Sequence, residues 1–372
     1  MNPVWASVEN EQQFFGVLKV RPIPSKVPGG IEKLLPQWQD FYANYRNAIV
    51  GSGAPGANEL LAAKIQATIA DTVTLQFMKP YTFPSLHTRM VGADYNYFEF
   101  GQRYVGALVD FNNSVLGHRE RWDQIAAQLA AGENVVLLAN HQTEADPGVF
   151  AHMLMATHPQ LATEVVYVAG DRVVTDALSK PFSMGRNLFC VHSKKHMDDI
   201  PELKAEKMET NRKTLVAMAR QLNKGGCLIW IAPSGGRDRP KDNDQYTPDP
   251  FDPAAVELMR SLGARAKRRT RLYPMAMFSW PVMPPPRTVD KAIGERRMTN
   301  YTPVGISVCE ELVPDVAVAG VAAEDKEAQQ KALALAAQQA VVAEYERMEA
   351  ALRDPRKRGP GTDFSQPWLT PQ

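Results

Sequence analysis

Cysteine is scarce. Cys190, Cys227 and Cys309 are the only three in 372 residues, far apart and without a C-x-x-C spacing. That excludes a disulfide framework and a four-cysteine zinc site, and it fits a reducing compartment. Net charge is nearly absent too. Lys and Arg number 42 against 41 Asp and Glu, a balance of +1, so no global field draws nucleic acid or an anionic membrane. No stretch approaches the ~20 apolar residues that span a bilayer. Internal repeats and low-complexity tracts are missing, apart from an alanine-rich helix near the end. The opening Met1–Lys19 carries Glu9 and Glu11 and lacks a basic-then-apolar layout, so it reads neither as a secretory signal nor as a transit peptide. If the protein is imported anywhere, this is expected to be the mature chain. The 44% hydrophobic and 22% charged shares are those of an ordinary folded protein, and the length suggests about two domains. The expectation is a soluble, globular, intracellular protein of enzyme size.

Residues 1–80 read as helical. Ile31–Val50 places Trp38, Phe41, Tyr42 and Tyr45 at three-to-four spacing, which makes one apolar stripe. Gly51–Gly56 breaks the chain, and a second periodic run, Glu59–Met78, ends before Pro80. With a shorter helix near Glu9–Val20, these suggest a small helical bundle domain. After Pro84 the pattern changes. Short apolar runs at Asn134–Ala139, Val165–Ala169, Leu188–His192, Cys227–Ala232, Leu272–Phe278 and Val304–Cys309 alternate with helical stretches. Near-continuous apolar strands between helices imply an α/β domain over residues 81–372, a mostly parallel mixed sheet flanked by helices. A helix is expected over Ala323–Arg353, and past Asp354 the basic, Pro/Gly-rich sequence reads as a loosely held tail.

Two places carry chemistry. The strand Asn134–Ala139 runs into Asn140-His-Gln-Thr-Glu-Ala-Asp-Pro147, with a helix expected over Pro147–Thr157. Asp146 is a natural cap of that helix. The turn can also fold His141 back onto Asp146, which would fix the ring tautomer and leave the other nitrogen as a base. The carboxyl end of a parallel strand is where ligands bind in open α/β sheets. Glu144, between the two, reads as a solvated or supporting residue. The second place is an anion pocket. Val191-His-Ser-Lys-Lys-His196 leaves one strand and Pro233-Ser-Gly-Gly-Arg-Asp-Arg239 leaves another. The glycines let the backbone turn tightly, and Arg237 and Arg239 present planar forks that match phosphate. Asp238 between them invites a local salt bridge. A general base beside cationic loops suggests transfer chemistry on a phosphorylated alcohol.

Further motifs stand in order around these: Ala169-Gly-Asp-Arg172, Pro181-Phe-Ser-Met-Gly-Arg-Asn187, Ser193-Lys-Lys-His196, Trp230-Ile-Ala-Pro-Ser-Gly-Gly-Arg-Asp-Arg-Pro240 and Met283-Pro-Pro-Pro286. With Asn140–Pro147, they closely resemble the soluble plastid-type glycerol-3-phosphate 1-O-acyltransferases, over most of the chain. The resemblance implies a helical N-terminal domain before a larger α/β domain. It implies transfer of a fatty acyl group from acyl carrier protein, or coenzyme A, to the 1-hydroxyl of glycerol 3-phosphate, without a cofactor or a metal. By motif, His141 and Asp146 fall on the catalytic pair, and Lys195, His196, Arg237 and Arg239 on the glycerophosphate-binding positions. The implied compartment is the plastid stroma, or the cytoplasm in a bacterium. The sequence departs from the family pattern at His192, where an aromatic is expected, and at Phe278–Pro281.

Three rivals are weaker. His192 and His196 have a zinc-helix spacing, but on a strand and its loop that spacing does not converge. A non-catalytic phosphate- or phospholipid-binding module would not need the His141–Asp146 pair. Lysophosphatidate as acceptor keeps the chemistry, yet the closely spaced Arg237 and Arg239 favour the smaller, more polar alcohol. Arg265-Ala-Lys-Arg-Arg-Thr-Arg271 offers five cations in seven residues. They read either as solvated surface or as a docking patch for an acidic acyl carrier protein.

Overall fold

The computed structural model describes residues 2–20, 30–92, 95–193, 197, 201–242, 245–286 and 296–369, the side chains of 30–34 excepted. Nine strands form one mixed sheet: β1 (Leu86–His87), β2 (Val115–Gly117), β3 (Asn134–Ala139), β4 (Val166–Ala169), β5 (Asn187–Cys190), β6 (Leu228–Ile231), β7 (Thr270–Phe278), β8 (Gly305–Val308) and β9 (Phe364–Ser365). Their order is β1-β5-β4-β6-β3-β7-β8-β2-β9. The central run from β5 to β7 is parallel, while β1, β8 and β9 each pair antiparallel with a neighbour.

All six expected strands are present, within two residues of the expected limits. β3 is buried at every position, and its residues divide by parity between two cores. Val135, Leu137 and Ala139 join Trp122, Phe150 and Tyr104 on one face; Val136 and Leu138 join Met218, Met259 and Tyr345 on the other. Alternate side chains of a strand point to opposite faces, so a strand covered on both sides is apolar along its length. Here that holds from Val135 onward, while Asn134 at its start donates to the Leu222 carbonyl. Helices Arg119–Ala130 and Asp146–Leu154 cover the first face; Lys204–Lys224, Pro253–Arg265 and Lys326–Arg353 cover the second.

The N-terminal helices are Glu11–Val20, Gly30–Ser52 and Glu59–Met78, after a short turn at Pro3–Ala6. Asn58 caps the last of the three through Leu61 N–H at 2.9 Å. The aromatic stripe splits. Tyr42 packs with Trp5, Phe14 and Phe15 in a core of the helices' own, whereas Phe41, Tyr45 and Ile49 enter the first core of the sheet. Tyr45 stacks on Tyr104 at 4.8 Å and donates to its carbonyl. Among the described residues no helix is long and apolar enough to cross a membrane.

The tail is not loosely held. Phe364 and Ser365 form β9 against β2, Phe364 is buried, and Trp368 stacks on Phe111 at 4.1 Å while donating to its carbonyl. Two aromatic anchors and a strand pairing outweigh a Pro/Gly-rich composition.

A buried pair fastens this edge. His118, in the left-handed region at φ 51°, lies 3.3 Å from Glu344, and its N–H donates to the Asp363 carbonyl. The Glu344 hydrogen bond raises His118 above its ordinary 6.5. Burial pushes Glu344 up, but His118 and Ser307 outweigh it and hold the carboxyl below 4.5. A raised histidine stabilises the fold at pH below 6.5 and loses that contribution as pH climbs through its folded value. A lowered carboxylate contributes above 4.5 and is lost on acidification. The pair is therefore worth most at pH 4.5–6.5. His118→Asn, which tolerates the left-handed backbone, is expected to lower the melting temperature more at pH 5.5 than at pH 8.5. An equal drop at both would show that the pair does not carry the stability.

Candidate active site

The carboxyl ends of β3, β4, β5, β6 and β7 lie along one edge of the sheet, because these strands are parallel. Asn140 begins the loop after β3 and ties it to its neighbours. Its amide donates to Asp238 Oδ2 at 3.1 Å and to the Met277 carbonyl at 3.0 Å, and its oxygen accepts from Met277 N–H. Asp238 N–H donates to the His141 carbonyl at 2.6 Å. The loops after β3 and β6 and the end of β7 are thus laced by buried hydrogen bonds, each satisfying a group that burial would otherwise penalise.

Asp238 is therefore not the salt-bridge partner of its flanking arginines. It is fully buried, accepts from Asn140 and from Asp249 N–H, and burial pushes it up to about 7 despite those bonds. The tight turn before it uses Gly235 at φ 70°, a backbone region costly for any residue with a Cβ.

Asp146 opens the helix Asp146–Leu154 but does not cap it; Ala145 is in the cap position and no side chain bonds the first turn. The carboxylate turns back into the preceding loop instead. Oδ2 lies 2.7 Å from His141 Nδ1 and accepts from Gln142 N–H at 2.7 Å; Oδ1 accepts from Ser279 Oγ at 2.6 Å. The Asp146 side chain is completely buried while that of His141 stays 25% exposed. The helix approaches closely enough to hold this geometry because residue 148 is glycine: a Cβ there would sit 2.5 Å from Val105 Cγ2. Trp230, from β6, meets the His141 ring edge-on at 5.7 Å. Gln142 closes the far side, donating to Tyr345 Oη at 3.2 Å and accepting from Ser279 N–H at 3.0 Å.

Glu144 is not solvated. Arg297 Nε donates to it at 2.9 Å, and Arg237 Nη1 lies 3.7 Å away. Burial would raise its pKa, but Arg297 and Arg237 outweigh burial and hold the carboxyl below its ordinary range. A recess lined by Thr143, Glu144, Arg237, Pro286 and Arg297, among others, opens here, and Arg239 is not part of its lining. Arg239 Nη1 donates instead to the Pro286 carbonyl at 2.7 Å. Lys195 and His196 lie outside the described residues. Nearby, His192 leans on the Asp171 carboxylate, and its backbone is bracketed by Asn211.

Of the expected site residues, the structure brings His141 to Asp146 and Arg237 to the Glu144 recess, and it sets Arg239 against the triple-proline segment. Sequence reasoning missed Ser279, Gln142, Trp230 and Arg297. Trp230 and Gln142 stand inside the quoted motifs, and Ser279 is the first residue past a strand, all readable signals. Nothing local marks Arg297.

The basic run lies elsewhere. Arg265–Arg271 precedes and enters β7, whose start pairs with the start of β3. Seven residues at ~3.3 Å each put it about 20 Å of sheet away from His141, at the opposite edge. Arg271 is tied to Glu133 and Glu311 at 2.5 and 2.6 Å, while Arg265, Lys267, Arg268 and Arg269 are exposed. The exposed cations of this run therefore lie at the opposite edge of the sheet from the candidate base.

Residues 121–278 match the acyltransferase family, and residues 4–81 match the glycerol-3-phosphate acyltransferase N-terminal family. A chloroplastic glycerol-3-phosphate acyltransferase of Cucurbita moschata is 38% identical over 97% of this chain and 78% of its own length. One of Pisum sativum is 38% identical over 97% of this chain and 79% of its own. One of Spinacia oleracea is 41% identical over 89% and 70%.

Proposed function

The chain belongs to the glycerol-3-phosphate acyltransferase family and is an enzyme of that kind, and from that premise we propose that it moves a fatty acyl group from an acyl carrier protein thioester to the 1-hydroxyl of glycerol 3-phosphate, releasing lysophosphatidate. The observation that supports this reading most is the 2.7 Å contact between His141 Nδ1 and a fully buried Asp146 carboxylate at the end of a central parallel strand.

His141 Nε2 takes the proton of the 1-hydroxyl as that oxygen attacks the thioester carbonyl. The tetrahedral intermediate collapses, the carbon–sulfur bond breaks, and the departing thiolate takes the proton back from the imidazolium. Asp146 keeps the Nδ1 proton in place and stabilises the positive ring between the two transfers. Gln142 N–H and the Ser279 hydroxyl hold the carboxylate against rotation. The thioester is already activated, so no serine or cysteine nucleophile is required. Arg237 and Arg239, with Lys195 and His196, bind the acceptor phosphate, and that remote binding orients the 1-hydroxyl toward His141.

In this reading residues 1–80 form a helical domain on an α/β catalytic domain of residues 81–372. The relatives are named chloroplastic, which supports a plastid compartment, and the stroma in particular fits a soluble carrier as donor. The test is a transfer assay with glycerol 3-phosphate and acyl carrier protein thioesters of varied chain length and saturation. Coenzyme A thioesters serve as the alternative donor and lysophosphatidate as the alternative acceptor. Acylation at the 1-position of glycerol 3-phosphate is expected. Acylation of lysophosphatidate alone would overturn the acceptor assignment.

A further inference from the structure

Arg296 and Arg297, two consecutive arginines ahead of β8, face different neighbours. Arg296 reaches the helix Gly30–Ser52, where its Nε and Nη2 each lie 2.7 Å from an oxygen of Asp40. Arg297 turns to the His141–Asp146 loop and grips Glu144 with two nitrogens, Nε at 2.9 Å and Nη2 at 3.5 Å. Glu144 Oε1 is also 3.7 Å from Arg237 Nη1. One carboxylate, three residues past the candidate base, is thus shared by two guanidinium groups that arrive from different loops.

From this we infer that Arg297 is a third arginine of the acceptor's anion site, held with Arg237 on either side of Glu144 so that both forks face the phosphate. The inference rests on the acyl-transfer reading above and adds a residue to it.

Charge supports it first. Glu144 lies within reach of both guanidiniums, and Arg172 adds a further positive field there. Asp176 lies 3.6 Å from Arg297 Nη2, but it is 44% exposed and largely screened by water. Arg237 and Arg297 keep 11% and 21% side-chain exposure, so this cationic pair is partly withdrawn from water. Geometry supports it next. Both arginines line the same recess with Thr143 and Pro286, beside the loop that carries His141. Arg297 meets Glu144 through Nε and Nη2, and Nη1 is the nitrogen that would meet the phosphate. An arginine held by a bidentate carboxylate has lost its rotamer freedom before the phosphate arrives, so less is lost on binding.

The test compares Arg297→Ala, Arg297→Lys and Arg237→Ala with the parent. The readouts are steady-state kinetics, competitive inhibition by inorganic phosphate, and a thermal melt as a check of folding. Arg297→Ala is expected to raise KM for glycerol 3-phosphate roughly 10–100-fold. The inhibition constant for inorganic phosphate should rise in parallel, while KM for the thioester donor stays within about twofold. Arg297→Lys keeps the charge and the fold but not the fork, and is expected to recover only part of the loss. Should Arg297→Ala not fold, the lysine variant decides. If Arg237→Ala loses acceptor affinity while neither Arg297 variant does, Arg297 only braces the loop, and the inference falls with the acyl-transfer reading intact. If the parent protein does not acylate glycerol 3-phosphate, that reading itself falls, whatever the variants do.

Discussion

Replacing His141 by Ala is expected to lower kcat roughly 10²–10⁴-fold, the usual range for general-base assistance, while KM for glycerol 3-phosphate changes little. His141 is held through Nδ1 by a buried, hydrogen-bonded carboxylate while its side chain stays 25% exposed. Its removal leaves the alcohol proton to water. In the proposed reading the acceptor phosphate is bound elsewhere, at the arginines past β6, so positioning and the intrinsic reactivity of the thioester survive. That residue of catalysis is why the loss stops short of complete inactivity. The measurement is steady-state turnover of protein purified from a host lacking its own enzyme of this kind, under saturating acceptor. A variant with parental kcat would remove proton abstraction by His141 from the mechanism and leave Asp146 as a purely architectural carboxylate.

The histidine and the aspartate were legible in the sequence because they lie on one loop after one apolar strand. β3 runs over Asn134–Ala139 as expected, since a strand covered on both faces shows as an unbroken apolar run. Strands β1, β2 and β9 were not legible. Each is two or three residues long, and pairing across the chain makes it a strand rather than any local pattern. The same limit explains Glu144, whose burial depends on Arg237 and Arg297 arriving from other loops. An isolated carboxylate in a loop reads as solvated until its partners are placed. The basic run Arg265–Arg271 is a different case, because it precedes a strand instead of following one. Once β7 is known to run parallel to β3, that order alone puts the run at the amino edge, away from the site.

Asp146→Asn is expected to cost up to about 10⁴-fold in kcat with the fold essentially intact, a separation that the hydrogen bonds around the carboxylate make possible. Gln142 N–H donates to Oδ2, so it selects the amide oxygen of an asparagine at that position. The amide nitrogen then faces Ser279 Oγ, a hydroxyl that rotates and accepts as readily as it donates. No buried donor is left facing another donor, and the melting temperature should move by only a few degrees. His141 keeps a neutral acceptor at Nδ1 but loses the negative charge that stabilises the imidazolium between the two proton transfers. Asp238 also lies within electrostatic reach of His141, but Asp146 is the carboxylate that contacts the ring among the described residues. Because base and carboxylate act as one unit, the His141→Ala, Asp146→Asn double variant should be no slower than His141→Ala alone. Full additivity of the two losses would mean that Asp146 works through something other than the histidine. A folded Asp146→Asn protein with kcat within threefold of the parent would show that the buried charge contributes nothing to proton transfer.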